Sequence, residues 1–311
     1  MEYFLQTPEW ASFQRSLGRT VHEQSGPGWR FLAVEEKNPA GKVLYAPYGP
    51  VAESLEAFDA ALAALAAIAR RAGAVFVRIE PVTAGFGADD GDAVLRARGL
   101  QPAPSNQQPE LSWVVDLAGD FKDVLAAMKP TNRNLYRNIH KKGVTFRSSQ
   151  DPEDISILLN FLHMTAARNG FKPQSDEYLA SVARSLMPAG VGTLFVAELE
   201  GEAIAAALAY DSADTRTYAH AALDDTHRKL SAGIPLLVTL MADAKEKGLQ
   251  HVDLWGVAPE DEPDHKWAGF TAFKKSFGGR EISYPGTWDL PVNKLRYGAY
   301  QLARKLRDKL R

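Results

Sequence analysis

The chain has no cysteine among its 311 residues, which removes disulfides, thiolate nucleophiles and cysteine-ligated zinc at once. Histidine is scarce too. Its seven copies are dispersed and never take the H-x-x-x-H spacing of a helical zinc site, so no metal centre is expected. No apolar run approaches the roughly 18 residues that cross a bilayer. Met1-Glu2-Tyr3-Phe4-Leu5 lacks the basic start and long apolar core of a secretory signal, so the protein is expected in the cytoplasm.

What is present is an ordinary globular composition, 45% hydrophobic and 24% charged. The length exceeds one typical core and allows two domains at roughly 150 residues each. Net charge is only −2 but unevenly placed. Lys122, Lys129, Arg133, Arg137, Lys141, Lys142 and Arg147 stand against Asp123 alone, and the tail sets Lys294, Arg296, Arg304, Lys305, Arg307, Lys309 and Arg311 against Asp308 alone. Such segregation points to anionic partners met by two particular surfaces.

A strand–helix–strand plan occurs twice. The first copy runs from Tyr45-Ala46-Pro47-Tyr48-Gly49-Pro50 through an alanine-rich stretch to Val75-Phe76-Val77-Arg78-Ile79-Glu80. The second runs from Tyr218-Ala219-His220 through Arg228-Lys229 to His251-Val252-Asp253-Leu254-Trp255-Gly256. Two copies are too few for a solenoid and imply two similar α/β domains with a cleft between them. The pattern predicts a helix from Ala57 to Arg71 stopped by Gly73, a Gly/Asp-rich loop leading to Gly91, and a strand Leu111–Leu117 closing the first domain. A basic helical segment 122–142 is interrupted at Pro130. Helices near 153–168 and 176–187 follow, then strands 194–199, 204–210 and 216–221. A helix 234–247, a strand 251–255, an acidic loop 259–264, a helix 265–277, a strand 280–284 and a basic tail helix 294–310 complete the reading.

Two segments carry chemistry. Arg228-Lys229-Leu230-Ser231-Ala232-Gly233 before a helix is close to R-x-x-G-x-G, the pyrophosphate loop of GNAT acyltransferases, whose glycines bring backbone amides at a helix start up to a coenzyme A phosphate. Here Ser231 replaces the first glycine, and Pro235 removes an amide from the first turn. The second segment, Trp267 to Gly279, places Trp267, Phe270, Phe273 and Phe277 on one helical side with Lys274 among them, while Lys275 points to solvent. A lysine in an aromatic wall either snorkels to water or is held at a site, where burial would lower its pKa.

In Leu5-Gln6-Thr7-Pro8-Glu9-Trp10, Tyr45–Gly49, the basic Met128–Gly143, the Arg228 loop and Phe273-Lys274-Lys275-Ser276-Phe277-Gly278, the chain resembles the FemABX family, tRNA-dependent aminoacyltransferases that build peptidoglycan cross-bridges. No counterpart of the helical coiled-coil arm is present, so the resemblance is to the compact FemX type. It implies an α/β (α+β) fold of two tandem GNAT-like domains with a cleft between them. The first is expected at 1–144, completed by the C-terminal helix 289–311, and the second at 145–288. The implied activity is transfer of an amino acid from aminoacyl-tRNA to an amine on the stem peptide of lipid II or UDP-MurNAc-pentapeptide. No cofactor and no DNA partner are implied.

By the same resemblance, Lys274 with Phe273 beside it occupies the position that stabilises the developing oxyanion. Arg228 is the leading phosphate contact, with a solvated loop arginine as the bland alternative. Lys172 and Arg168, around Asn169-Gly170-Phe171, fall near the acceptor region. Tyr218 and Trp255 line the pocket or pack in the core; Asp253 holds an acceptor amine or caps a turn. Lys129, Arg133, Arg137 and Lys141 suit the tRNA acceptor stem. The tail helix lies on an anionic membrane surface near lipid II, at the inner face of the membrane, or packs back on the first domain. An acyl-coenzyme A N-acyltransferase and a non-catalytic binder of RNA or cell-wall precursors are the competing classes. On this reading the first domain shapes the acceptor cleft and the second supplies Arg228 and Lys274.

Overall fold

The computed structural model describes residues 1–83, 91–170, 172–262, 264–265 and 267–309. The expected Gly/Asp-rich loop at 84–90, Phe171 and Leu310 lie outside the described residues. Along the chain, the first unit supplies α1 (Pro8–Ser16), β1 (Val21–Gly26), β2 (Trp29–Asn38), β3 (Gly41–Ala46), β4 (Val51–Ala52), α2 (Leu55–Ala72), β5 (Phe76–Ile79), β6 (Val82–Thr83), α3 (Gly91–Ala97) and β7 (Gln101–Pro102). The second supplies β8 (Leu111–Asp116), α4 (Phe121–Ala127), α5 (Pro130–Asn138), β9 (Val144–Ser149), α6 (Ile155–Asn169), α7 (Asp176–Leu186), β10 (Gly192–Leu199), β11 (Glu202–Asp211), β12 (Thr215–Leu223), α8 (Gly233–Glu246), β13 (His251–Gly256), α9 (Ala268–Lys275) and β14 (Arg280–Ser283). The chain then returns to the first unit with β15 (Trp288–Pro291) and α10 (Lys294–Lys309).

The units are Leu5–Glu110 with Ser283–Arg311, and Leu111–Ile282 with Met1–Phe4. The division at Glu110/Leu111 differs from the expected 144/145 because β8, read as the last strand of the first domain, pairs instead with β13, Val115 opposite Val252. Likewise β15 pairs with β5, Leu290 opposite Val77. Alternation shows that a segment is a strand; it does not show which sheet takes it.

Both copies of the repeated plan are parallel crossovers. β3 and β5 pair through Tyr45↔Arg78 and Ala46↔Ile79, and β12 and β13 through Thr215↔His251 to Thr217↔Asp253. In the first unit, α2 starts on the Ser54 side chain, which accepts from the Ala57 N–H, and stops at left-handed Gly73. Its buried face, Phe58, Leu62 and Leu65, packs with Phe31, Leu44, Val77 and Trp288. The strands end on Glu80, a buried carboxylate that accepts from the Tyr45 hydroxyl (2.8 Å), the Gln108 N–H (2.7 Å) and the Thr287 hydroxyl (2.8 Å). Burial raises its pKa, and these donors hold it back down.

The second unit's sheet runs β14-β8-β13-β12-β11-β10-β9. Alanines at 205, 207 and 209 of β11 keep one face shallow, and Leu236, Leu237, Leu240 and Met241 of α8 pack with them. Arg216 of β12 anchors that crossover from a side chain 0% exposed. It donates to both oxygens of Asp211 (2.6 and 2.7 Å), to Asp243 (2.6 Å) and to the Leu240 carbonyl (2.9 Å), with its guanidinium 5.0 Å from the Phe195 ring centroid.

Candidate active site

The ladder between β12 and β13 ends at Thr217↔Asp253, although β12 continues to Leu223 and β13 to Gly256. Two irregularities accompany the ending. The register between β11 and β12 shifts between Leu208↔His220 and Ala209↔Tyr218, which leaves Ala219 as an extra residue. Between β13 and β8 it shifts between Asp253↔Val114 and Gly256↔Ser112, and there Trp255 takes φ +67°. A bulky side chain in the left-handed region is held by its surroundings and re-aims a strand at a site. Asp253 does the holding: buried, it accepts from the Trp255 N–H (2.8 Å) and the Ser112 hydroxyl. Nothing in the sequence marked this bulge.

A cavity of about 530 Å³ opens in this region, within the range of small-ligand sites, and among the described residues its lining belongs to the second unit. β12 contributes Tyr218, β13 Trp255, α6 Arg168, the turn before α8 Arg228, and α9 Phe273 and Lys274. Six of the expected site residues therefore share one cavity. Phe270 also borders it, but 60% exposed, so the aromatic side expected of α9 is buried only toward its C-terminal end.

Lys274 Nζ donates to the Gly256 carbonyl at 2.5 Å. Burial lowers its pKa to about 8, against the opposing pull of the Asp253 charge. Asp253 is itself raised by burial, with Ser112, the Trp255 N–H and Lys274 holding it down. An ammonium has three N–H groups and Gly256 takes one, so donors remain for a substrate oxygen in poorly hydrated surroundings. Lys275, expected in solvent, instead pairs with Glu260 at 2.9 Å and lies 5.3 Å over the Trp113 ring.

The end of α9 is fixed by residues that sequence reasoning passed over. Buried Asn132 of α5 donates to the Ser276 hydroxyl (2.8 Å) and carbonyl (3.2 Å), and Trp113 Nε1 donates to the Gly278 carbonyl (2.6 Å). Gly279 takes φ +96°, where a Cβ would meet the Val114 carbonyl oxygen at 2.3 Å. No other residue fits there.

Asp224 caps the turn Asp225–Leu230 by accepting from the Thr226 N–H at 3.0 Å, and the turn ends at Ser231 with φ +51°. The serine at the first-glycine position thus takes a left-handed backbone, a conformation glycine adopts most readily. Arg228 is exposed at the cavity wall, while Arg168 is ion-paired with Asp225, which ties α6 to the loop.

The remaining expectations separate from this cavity. Asp253 takes the turn-capping role and is enclosed beneath the bulge, a position unsuited to meeting an acceptor amine. Lys172 lines a different cavity of about 380 Å³, with Leu162, Pro173, Gln174 and His220. Burial lowers the His220 pKa to about 4. Of the basic-segment residues, Lys129, Arg137 and Lys141 are exposed, whereas Arg133 donates to the Ala126 (2.7 Å) and Met128 (2.6 Å) carbonyls at the end of α4. Arg133 is therefore committed to a helix end.

An acetyltransferase (GNAT) domain model matches residues 128–267, which span β12, the Arg228 turn, α8 and β13. Superposition on the crystal structure of FemX gives a TM-score of 0.85 at 19% identity, over 96% of this chain and 94% of that one. The chain has the FemX fold. The C-terminal domain (DUF2156) of a putative lysylphosphatidylglycerol synthetase from Agrobacterium fabrum also superposes, with TM-score 0.59 and 15% identity over 92% of this chain and 87% of that one. A tandem GNAT protein from the clavulanic acid biosynthesis pathway gives 0.54 at 13%, over 88% and 83%. No protein of curated function matches the sequence. Two tandem GNAT-like domains are thus the fold of this chain, and the cavity beside Lys274 lies in the second.

Proposed function

We propose that the chain is an aminoacyltransferase of the FemX kind, moving an amino acid from aminoacyl-tRNA to an amine on the stem peptide of a peptidoglycan precursor, lipid II or UDP-MurNAc-pentapeptide. The observation that carries this reading is Lys274, a half-buried ammonium held on the Gly256 carbonyl in the wall of a roomy cavity. The acceptor amine attacks the ester carbonyl of the charged tRNA, and negative charge builds on the carbonyl oxygen. An ammonium already desolvated and oriented stabilises that oxygen without reorganising. An ester is an activated electrophile, and the amine's proton leaves with the ribose hydroxyl. Lys129, Arg137 and Lys141 would meet the acceptor-stem phosphates, with Lys129 one turn from Asn132, which grips the end of α9. Arg228 would hold a phosphate at the 3′ end of the donor.

The closest competing chemistry, acyl transfer from coenzyme A, is disfavoured by the Arg228 loop. Ser231 keeps the backbone bend, but Pro235 in the first turn of α8 has no N–H to offer a pyrophosphate. A coenzyme A binding titration separates the two, and tight binding would favour that rival.

The direct test incubates the protein with a mixed pool of charged tRNA and soluble or lipid-linked muropeptide precursors, read by mass spectrometry. A precursor heavier by one amino-acid residue is expected; unchanged mass with both acceptors would sink the proposal. Arg228→Ala should raise the KM for charged tRNA by about tenfold with little change in kcat, since a phosphate contact remote from the ester binds ground and transition states alike. A kcat loss of similar size would instead put Arg228 at the reacting atoms.

The pH profile follows from Lys274. Its ammonium form is the active one, and its pKa is about 8. Activity is therefore expected to rise at low pH as the acceptor amine deprotonates, then fall as pH passes through about 8. The residual activity of Lys274→Met should lack the falling limb. A rate still climbing well above that pH in the wild type would show that the ammonium is not required.

A further inference from the structure

The helix α10 has two faces with different tasks. Tyr297 is 3% exposed, donates to Asp289 (3.2 Å) and meets Phe76 edge-on at 5.3 Å, while Tyr300 stacks on the same ring at 5.7 Å. This side fastens the helix to the first unit. The other side carries Leu295, Leu302 and Leu306, which are 89%, 61% and 55% exposed. At about 100° per residue these three fall within about 20° of one line along the helix, opposite the tyrosines. Lys294 and Lys305 lie on one flank of that line, Arg296 and Arg307 on the other, each about 80–120° away and all exposed. Of the two alternatives read from the sequence, packing on the first unit therefore describes the tyrosine face, and the leucine face is left exposed.

A leucine stripe between two cationic rows calls for an apolar surface edged with negative charge. A second copy of the chain packed stripe on stripe would set cation row against cation row. An RNA would neutralise the rows but leave the leucines in water. A bilayer with anionic headgroups satisfies both at once. Among the described residues no helix is long and apolar enough to cross a membrane, so contact of this kind would be peripheral.

We infer that α10 is a docking surface for an anionic lipid bilayer, its three leucines entering the boundary between headgroups and acyl chains while Lys294, Arg296, Lys305 and Arg307 meet the headgroup phosphates. The inference uses no residue of the cavity beside Lys274 and stands apart from the proposed transfer reaction. Docking would hold the first unit at the face of a membrane.

Flotation of the full chain with vesicles tests it. Binding is expected to phosphatidylcholine vesicles that contain phosphatidylglycerol, not to phosphatidylcholine alone, and should weaken as salt rises. The triple substitution Leu295→Asp, Leu302→Asp, Leu306→Asp should weaken it about tenfold or more, and Lys294→Glu with Lys305→Glu by a comparable factor. These side chains face water, so circular dichroism and Tm should stay at wild-type values. Absence of binding to phosphatidylglycerol vesicles, equal binding to both lipids, or wild-type binding by the leucine variant would overturn the inference. So would a dimer in light scattering that the leucine substitutions dissociate, because the stripe would then be covered by a second copy.

Discussion

Lys274→Met is expected to lower aminoacyl transfer by about 10²–10³-fold, the usual cost of removing one preorganised oxyanion donor, while Tm stays at or above the wild-type value. The two halves of this result have one cause. Burial that lowers the Lys274 pKa from 10.5 to about 8 means that the folded protein carries the ammonium at a cost on the order of 3 kcal/mol. The unfolded chain holds its proton more tightly, so stability should rise between about pH 8 and 10.5 as the folded lysine releases its proton first. Methionine fills the same space without charge. It leaves Asp253 with Ser112 and the Trp255 N–H, a neutral setting that a carboxyl raised by burial can accept by protonation. Transfer within threefold of wild type would remove Lys274 from the chemistry. A Tm drop beyond about 5 °C would show that the ammonium is structural, held for its Gly256 bond.

Arg216→Met is expected to destabilise the protein by about 3 kcal/mol, the lower end of the cost of breaking a buried ion pair from one side. The arginine has no exposure and satisfies Asp211, Asp243 and the Leu240 carbonyl together. Its loss strands two carboxylates. Lys247, 3.6 Å from both, offsets part of the charge. Urea unfolding followed by circular dichroism measures the shift, and a loss under about 1 kcal/mol would mean that Lys247 and water replace the guanidinium. Arg216 sits where β12 still pairs with β13, one residue before their ladder ends. The arginine thus fixes the root of the fork whose far end holds Tyr218, Trp255 and Arg228, and transfer by the variant should fall near its lowered Tm before the whole chain unfolds.

Much of the architecture was legible because it is written in local periodicity. Ser54, the alanine face and Gly73 mark both ends of α2, and Glu200-Gly201-Glu202 marks the hairpin between β10 and β11. The left-handed Ser231 could be anticipated from its place in the R-x-x-G-x-G pattern. The grouping of the candidate site was readable to the same depth. Arg228 and Lys274 stood out by motif and by an aromatic setting, and they do share a cavity with Arg168, Tyr218, Trp255 and Phe273. Asn132 was hidden inside a basic run whose charge drew attention to its neighbours. Asp253 invited a binding role because an isolated carboxylate near a strand end looks the same exposed or enclosed.

By itself the sequence determined that two strand–helix–strand units exist, that the second alone carries an R-x-x-S-x-G turn before its helix, and that one lysine lies among aromatics. Tertiary structure alone decided that β8 leaves the first sheet and β15 rejoins it, that Asp253 braces the Trp255 bulge, and that Lys274 is desolvated enough to titrate near 8. The division has a physical reason. Helix and turn preferences depend on neighbours within a few residues, whereas strand pairing and desolvation depend on groups brought from more than a hundred positions away, as Ser112 is to Asp253 and Asn132 to Ser276.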